Sequence, residues 1–197
     1  MTRLLSISSS PRRNGNSEIL LKSFIKGVEE AGCESNMIRV NNLKVRPCQA
    51  CDGCALTGEC VQKDDMQKIY PMVKEARAMV VATPIYFGSL SAQLKMFVDR
   101  HQCWWHAKYN IKKPFVPLDE GRKGFFISVG ALKNKRFSES ALSIVKVYYH
   151  NINFVYSDGL CYRGFDHKAD IEKEPDALES AYQMGLKLAS ENADANN

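Results

Sequence analysis

Four cysteines, Cys48, Cys51, Cys54 and Cys60, fall in the pattern C-x2-C-x2-C-x5-C, with Pro47 just ahead of the first. Thiolates are soft ligands. Three of them at successive x2 spacings can wrap three iron corners of a cubane, and a short loop through Gly58 can return the fourth, with Gly53 and Gly58 easing the approach of the backbone. Structural zinc more usually draws on two separated pairs of ligands, and ferredoxin runs send their last cysteine to a second cluster, so neither matches this spacing as well. The pattern points first to a 4Fe-4S cluster, with zinc or uncoordinated, redox-active thiols as the alternatives. Cys33, Cys103 and Cys161 lack such spacing and read as core or surface thiols.

A second constellation is polar. Residues 8–18 read Ser-Ser-Ser-Pro-Arg-Arg-Asn-Gly-Asn-Ser-Glu, between an apolar run and the start of a helical pattern. The first turn of a helix leaves amide N–H groups unpaired and favours an anion. Ser10, Asn16 and Ser17 add hydrogen-bond donors and Arg12 adds charge, so a terminal phosphate is the natural guest. The stretch is neither G-x-x-x-x-G-K-[ST] nor G-x-G-x-x-G, which removes the main support for a nucleoside triphosphate or a dinucleotide. A capped polar turn without a ligand is the plainer reading. A third stretch, Thr83-Pro84-Ile85-Tyr86-Phe87-Gly88, combines a flat apolar wall with turn residues and suits a broad planar ring. Gly130 follows a later strand, and a simple turn there is as good a reading as contact with that ring.

These stretches need elements to position them. Apolar runs predict strands at Leu4 to Ile7, Met37 to Val40, Ala78 to Thr83, Gly124 to Val129 and Ile152 to Ser157, the third stopped by Pro84. Helical spacing recurs at Leu21, Phe24, Ile25 and Val28, and at Ile69 and Val73 after Asp64 and Asp65, where Pro71 sits awkwardly. It recurs again at Leu90, Leu94, Phe97 and Val98, at Ala141, Ile144, Val145 and Tyr148, and from Leu178 to Leu186. Five strands alternating with five helices call for one doubly wound α/β domain, because parallel neighbours need crossover connections. It is expected over residues 1–190, with a cysteine-bearing insertion at about 44–63 and a frayed tail at 191–197. A second long connection, from about Gln102 to Arg122, is of the length that usually carries function.

Composition excludes several classes. The 197 residues are 45% apolar and 25% charged, as in an ordinary globular domain, and the longest purely apolar run, Ala78 to Ala82, is far too short to span a membrane. The formal charge of +5 comes from 27 basic and 22 acidic residues that interleave, so a mixed solvated surface is expected rather than a nucleic-acid groove. With no secretory signal pattern, a cytoplasmic location is the expectation.

Ser10-Pro11-Arg12 followed by Gly15-Asn16-Ser17 resembles the phosphate loop of the flavodoxin-like NAD(P)H-dependent FMN reductases, WrbA-like and iron-sulfur flavoprotein branches included. Ser9 stands where many members have glycine. Pro84-Ile85-Tyr86-Phe87-Gly88 is similar to the family's flavin loop, Gly130 sits where relatives place a ring-facing glycine loop, and the compact cysteine spacing resembles the iron-sulfur branch in particular. The resemblance covers roughly residues 4 to 100 and implies a five-stranded sheet of order 2-1-3-4-5 with FMN at the switch point between strands one and three. It implies phosphate contacts from Ser10, Pro11, Arg12, Asn16 and Ser17, ring contacts from Pro84 to Gly88 and Gly130, and cluster ligation by the four cysteines.

The function expected on this basis is an FMN-dependent oxidoreductase that couples flavin to a 4Fe-4S cluster. NAD(P)H, ferredoxin or quinone would serve as donor or acceptor, and a homodimer or homotetramer would bring the cofactors together, with the aromatic segment Trp104 to Phe115 as association surface. A cluster-free NAD(P)H-dependent FMN or quinone reductase and a zinc-stabilised binding module are the alternatives. His101 and His106 read as packing, pocket-rim or subunit-contact residues, Asp99-Arg100 as a structural ion pair, and Tyr162-Arg163-Gly164 as an ordinary exposed loop, with reach to a substrate or a neighbouring subunit as the alternative.

Overall fold

The run Ala78 to Ala82 is the middle of the protein. A computed structural model describes residues 3–118 and 121–194 and places this run in β3 (Ala78–Pro84), flanked by β1 (Arg3–Ser8) and β4 (Lys123–Gly130). With β2 (Glu34–Arg39) and β5 (Val155–Arg163) at the edges, five parallel strands run in the order β2-β1-β3-β4-β5. Both faces are covered, which is why the central strands read as continuous apolar runs rather than alternating ones.

On one face, Leu4, Val80, Ala82 and Ile127 pack under α1 (Asn16–Glu30) and α6 (Pro175–Asp194). On the other, Leu5, Ile7, Met79, Val81 and Phe126 meet α2 (Met66–Glu75), α3 (Ala92–Asp99), α4 (Gln102–Trp105) and α5 (Arg136–Asn151). Pro71 lies inside α2, where it removes one backbone hydrogen bond; it sits on the solvent side of the helix, so water can satisfy the freed carbonyl. Pro84 closes β3 as its last paired residue instead of ending the strand ahead of itself.

Three expectations shift. The fifth strand begins at Val155, not Ile152, and continues to Arg163. Ile152 and Phe154 are buried in the turn that leaves α5, so their apolar signal marks core and not strand, while the edge strand itself is half exposed and lacks such a signal. The Gln102 to Arg122 connection begins as α4 and continues as a π turn, His106–Asn110, and its Trp104 is buried in the core rather than offered for association. The last helix continues through Asp194 instead of fraying after Ser190, and 195–197 lie outside the described residues. No described helix is long and apolar enough to cross a membrane.

Candidate functional site

Strand order reverses at β1 and β3, so the loops leaving their carboxyl ends diverge and open a crevice between them. The first loop is tied to β3 by Ser9, whose backbone N–H and Oγ both donate to the Ala82 carbonyl at 3.0 Å. The residue that replaces glycine is therefore a fastening. Ser10 Oγ accepts from Arg12 N at 3.2 Å and donates to the Arg12 carbonyl at 3.0 Å, which closes the next turn. Buried Glu18, in the first turn of α1, holds the far side. It accepts from Ser8 Oγ at 3.1 Å and Asn14 N at 3.3 Å, and its charge is met by Arg39 at the end of β2 and by Lys22 at 3.6 Å.

The second loop is a two-residue hairpin tip. Tyr86 and Ser89 exchange backbone hydrogen bonds of 3.0 Å, and Phe87 and Gly88 between them both have positive φ, 48° and 76°, as the turn twisted to match a hairpin requires. Glycine adopts this conformation freely; phenylalanine does not, and strain of this kind, of order 1–3 kcal/mol, gathers at functional sites. The Phe87 side chain makes no compensating burial, because it stands fully in solvent.

Ser10, Arg12, Asn16 and Ser17 line a cleft of about 110 Å³ together with Pro84, Ile85 and Tyr86. An adjoining cleft of about 260 Å³ shares Ile85 and Tyr86 and adds Phe87, Gly88 and Gly130, with Phe137 of α5 on its far wall. Every residue expected to touch phosphate or ring thus lines one of two neighbouring clefts, except Pro11, which is exposed and lines neither. The first cleft carries the hydroxyls of Ser10 and Ser17, the Asn16 amide and the Arg12 guanidinium; the second is walled mainly by apolar side chains, with Asn134, Ser138 and Arg163 among them. The donor set therefore fits a phosphate joined to a flat apolar ring.

The sequence reading missed the loop after β5. Phe165, Asp166 and Lys168 line the first cleft and Arg163 the second. Arg12 donates to the Asp166 carbonyl at 3.2 Å and Asn16 Nδ2 to the His167 carbonyl at 2.9 Å, while Ile171 N donates to Asn16 Oδ1 at 3.2 Å. Two of the expected phosphate residues thus also fasten a fourth loop over the cleft. The guanidinium has five N–H groups, so this bond leaves it donors to spare. Nothing in the spacing of Lys168 marks it; only the pairing of β4 with β5 brings it here.

The cysteines occupy the loop between β2 and α2, and its feet are clipped together. Asp64 Oδ2 accepts from Arg46 N at 3.1 Å and Asp65 Oδ2 from Lys44 N at 2.8 Å. Hydrogen bonding to Arg100, Arg46 and Met66 outweighs the effect of burial and holds the Asp64 carboxyl below its usual range. Within the loop, Ala50 and Asp52, on either side of Cys51, have φ of 48° and 54°. At Gly58, with φ of 75°, a Cβ would stand 2.7 Å from Ala107 Cβ in the π turn. All four cysteines are free thiols. Burial raises the Cys54 thiol pKa, and the charges of Cys60, Cys48 and Cys51 push it further the same way. Among the described residues no three His, Cys, Asp or Glu side chains converge closely enough to hold a single metal ion. A cubane distributes its ligands over four irons at separate corners, and four free thiols in one loop beside the Arg100 cation match that donor chemistry.

Arg100 does not pair with Asp99, which is taken by Lys95 at 2.7 Å; it reaches Asp64 of the cysteine loop instead. A wider cavity of about 600 Å³ adjoins Cys60, walled by Tyr70, Trp104 and Phe115, and shares no lining residue with the two clefts. Behind it His101 is buried among Tyr70, Phe97, Trp104 and Tyr148, and burial pushes its pKa down to about 4.

Residues 2–154 match the family model described as NADPH-dependent FMN reductase. An iron-sulfur flavoprotein of Archaeoglobus fulgidus is 39% identical over 127 residues, covering 64% of this chain and 61% of that protein. Iron-sulfur flavoprotein MJ1083 of Methanocaldococcus jannaschii is 37% identical over 98 residues, covering 50% and 51% respectively. The matched stretch spans roughly half to three-fifths of these relatives. Among solved structures, an NAD(P)H:quinone oxidoreductase from Methanothermobacter marburgensis shares the fold with a TM-score of 0.71 at 16% identity, over 94% of this chain and 95% of that one.

Proposed function

Since the chain belongs to the NADPH-dependent FMN reductase family, in its iron-sulfur flavoprotein branch, we propose that it is an FMN-dependent oxidoreductase whose four clustered cysteines hold a 4Fe-4S cluster. One observation carries the flavin half of this reading: residues 10–17 and 84–86, far apart in sequence, line the same cleft at the switch point of the sheet. Ser10, Arg12, Asn16, Ser17 and the first amides of α1 hold the phosphate, with Lys168 adding a second positive charge. Pro84 to Gly88 and the backbone at Gly130 seat the ring, and Pro11 acts only by shaping its turn. Cys48, Cys51, Cys54 and Cys60 ligate iron.

Bound FMN exchanges electrons singly or in pairs, which allows a hydride donor to be linked to a one-electron carrier. The chain's own part is to bind, to orient and to keep the ring face accessible beside Tyr86 and Phe87, both exposed. NAD(P)H is the donor that the family name supports, with ferredoxin or quinone as the other partner. The two candidate sites share no lining residue, so a second copy of the chain, in a cytoplasmic homodimer or homotetramer, is the arrangement that brings cluster and ring together.

The test is anaerobic reconstitution followed by iron and flavin analysis. One FMN and about four irons per chain, with cluster absorption lost in Cys51→Ala and flavin kept, is the expected result. Bound FMN without iron would favour a cluster-free NAD(P)H-dependent FMN or quinone reductase. Zinc without flavin would favour a zinc-stabilised binding module and leave the two clefts without a role.

A further inference from the structure

Arg100 follows the last residue of α3, yet it is the largest fully buried side chain among the described residues. Burying a guanidinium costs several kcal/mol before its partners are counted. Its partners lie on the cysteine loop. Nη1 pairs with Asp64 Oδ2 and donates to the Arg46 carbonyl at 2.9 Å, and Nη2 donates to Cys60 Sγ at 3.4 Å. The residue's own carbonyl accepts from Tyr70 Oη at 2.8 Å and from Cys103 Sγ at 3.4 Å, so the backbone beneath the fork is fixed from two sides.

Joining the feet of the loop does not require this residue. The Asp64 and Asp65 carboxylates already accept from backbone amides across the base. What a planar fork adds is a third direction: one guanidinium bridges a carboxylate and a sulfur, which a lysine's single nitrogen does less well. Among the described residues no guanidinium donates to Cys48, Cys51 or Cys54, so the arrangement singles out Cys60. A guanidinium stays protonated in proteins, and Asp64 lies against this one as its counter-ion.

We propose that Arg100 is a positioning residue that raises the reduction potential of the iron-sulfur cluster by donating a charge-assisted hydrogen bond to the Cys60 ligand sulfur. The inference rests on the cluster reading given above. An N–H donor on a ligand thiolate withdraws charge from the sulfur and favours the state that carries one more electron, and hydrogen bonds to the sulfurs are among the main determinants of such potentials. One electron enters and leaves, and the guanidinium keeps its protons throughout. The guanidinium end of the bond is buried and Cys60 is half-buried, so the bond is stronger than one between exposed groups.

The test uses the anaerobically reconstituted holoprotein in a redox titration that follows cluster and flavin separately. The double variant Arg100→Gln/Asp64→Asn removes the donor and its counter-ion together, which keeps the local net charge and avoids a lone buried carboxylate. It is expected to keep its iron and FMN and to show an unchanged flavin midpoint. At the wild-type cluster midpoint its ratio of reduced to oxidised cluster falls about tenfold, equivalent to about 59 mV for one electron. Arg100→Lys, which keeps the charge but loses the fork, falls about threefold and decides the matter if the double variant does not fold. Full iron with a wild-type cluster midpoint in whichever variants fold would overturn the proposal. So would folded, FMN-loaded variants that lose their iron, since Arg100 would then be a scaffold for the loop. Wild-type protein that binds FMN but never shows cluster absorption sinks the underlying reading and this inference with it, and that outcome is visible before any variant is made.

Discussion

The crevice and the cysteine loop are built on different principles. Loops at the crevice leave neighbouring strands whose register is set by the sheet, so the positions of Ser10 and Pro84 follow from β1 and β3 with little freedom. The cysteine loop hangs between β2 and α2 and is held at its feet by Asp64 and Asp65, with Gly58 pressed against the π turn. A site on strand ends is positioned by the sheet, whereas the insertion is positioned by side-chain contacts with the elements around it. Its four thiols lie in one loop, and among the described residues no three of them converge as a single-ion site.

The sharpest way to break this comparison is to remove one ligand from each region. Cys51→Ala should lose essentially all bound iron while FMN content is unchanged, as read from metal analysis and flavin absorbance of the folded protein. Simultaneous loss of both cofactors would show that the regions are not independent. Arg12→Ala should weaken FMN about ten- to a hundredfold by fluorescence titration, the value of one hydrogen bond from a charged donor, and leave iron content alone. A smaller shift would mean that Lys168 carries the phosphate.

Acid should discriminate between the regions next. His101 is neutral in the fold, with its pKa lowered to about 4, and takes up a proton in the unfolded chain near 6.5. The unfolded state therefore binds more protons between those values, and stability falls as pH drops through that window. The slope is about 1.4 kcal/mol per pH unit, or roughly 3 kcal/mol in all. Urea unfolding of the apoprotein at pH 7 and pH 4.5 would measure it, and His101→Gln should flatten the difference. His101 lies under Tyr70 and Trp104, which wall the cavity beside Cys60, so the cysteine side should loosen first, detectable by hydrogen exchange.

The smallest effect belongs to the hairpin tip. Phe87→Asn places a residue that tolerates positive φ at a fully exposed site, and the apoprotein should gain up to about 1 kcal/mol in thermal unfolding. If FMN binding weakens at the same time, the strain is serving the ring; if not, the aromatic is dispensable there.

Legibility in the sequence followed the same division. The apolar runs of β1, β3 and β4 were readable because both faces of a parallel sheet are buried, and the loops after them followed. β5 was displaced because an edge strand is half exposed while Ile152 and Phe154, in the preceding turn, are not. The burial of Trp104 is not legible, because an aromatic-rich connection has the same composition whether it faces inward or out. The partner of Arg100 is not legible either: Asp99 is adjacent in sequence, but neighbours on a helix point about 100° apart, and the carboxylate within reach lies 36 positions away.

The order of residues alone determined which chemistry is on offer: four thiols in one short loop, a polar turn before a helix, an apolar turn after a buried strand. These are local properties, and spacing within a dozen residues is enough to express them. Only the tertiary structure decided that the two turns share a crevice, that the loop after β5 closes over it with Lys168, and that a buried guanidinium on α3's far end donates to Cys60. Those contacts join segments that strand pairing and helix packing bring together, and no pattern along the chain encodes a distance between them.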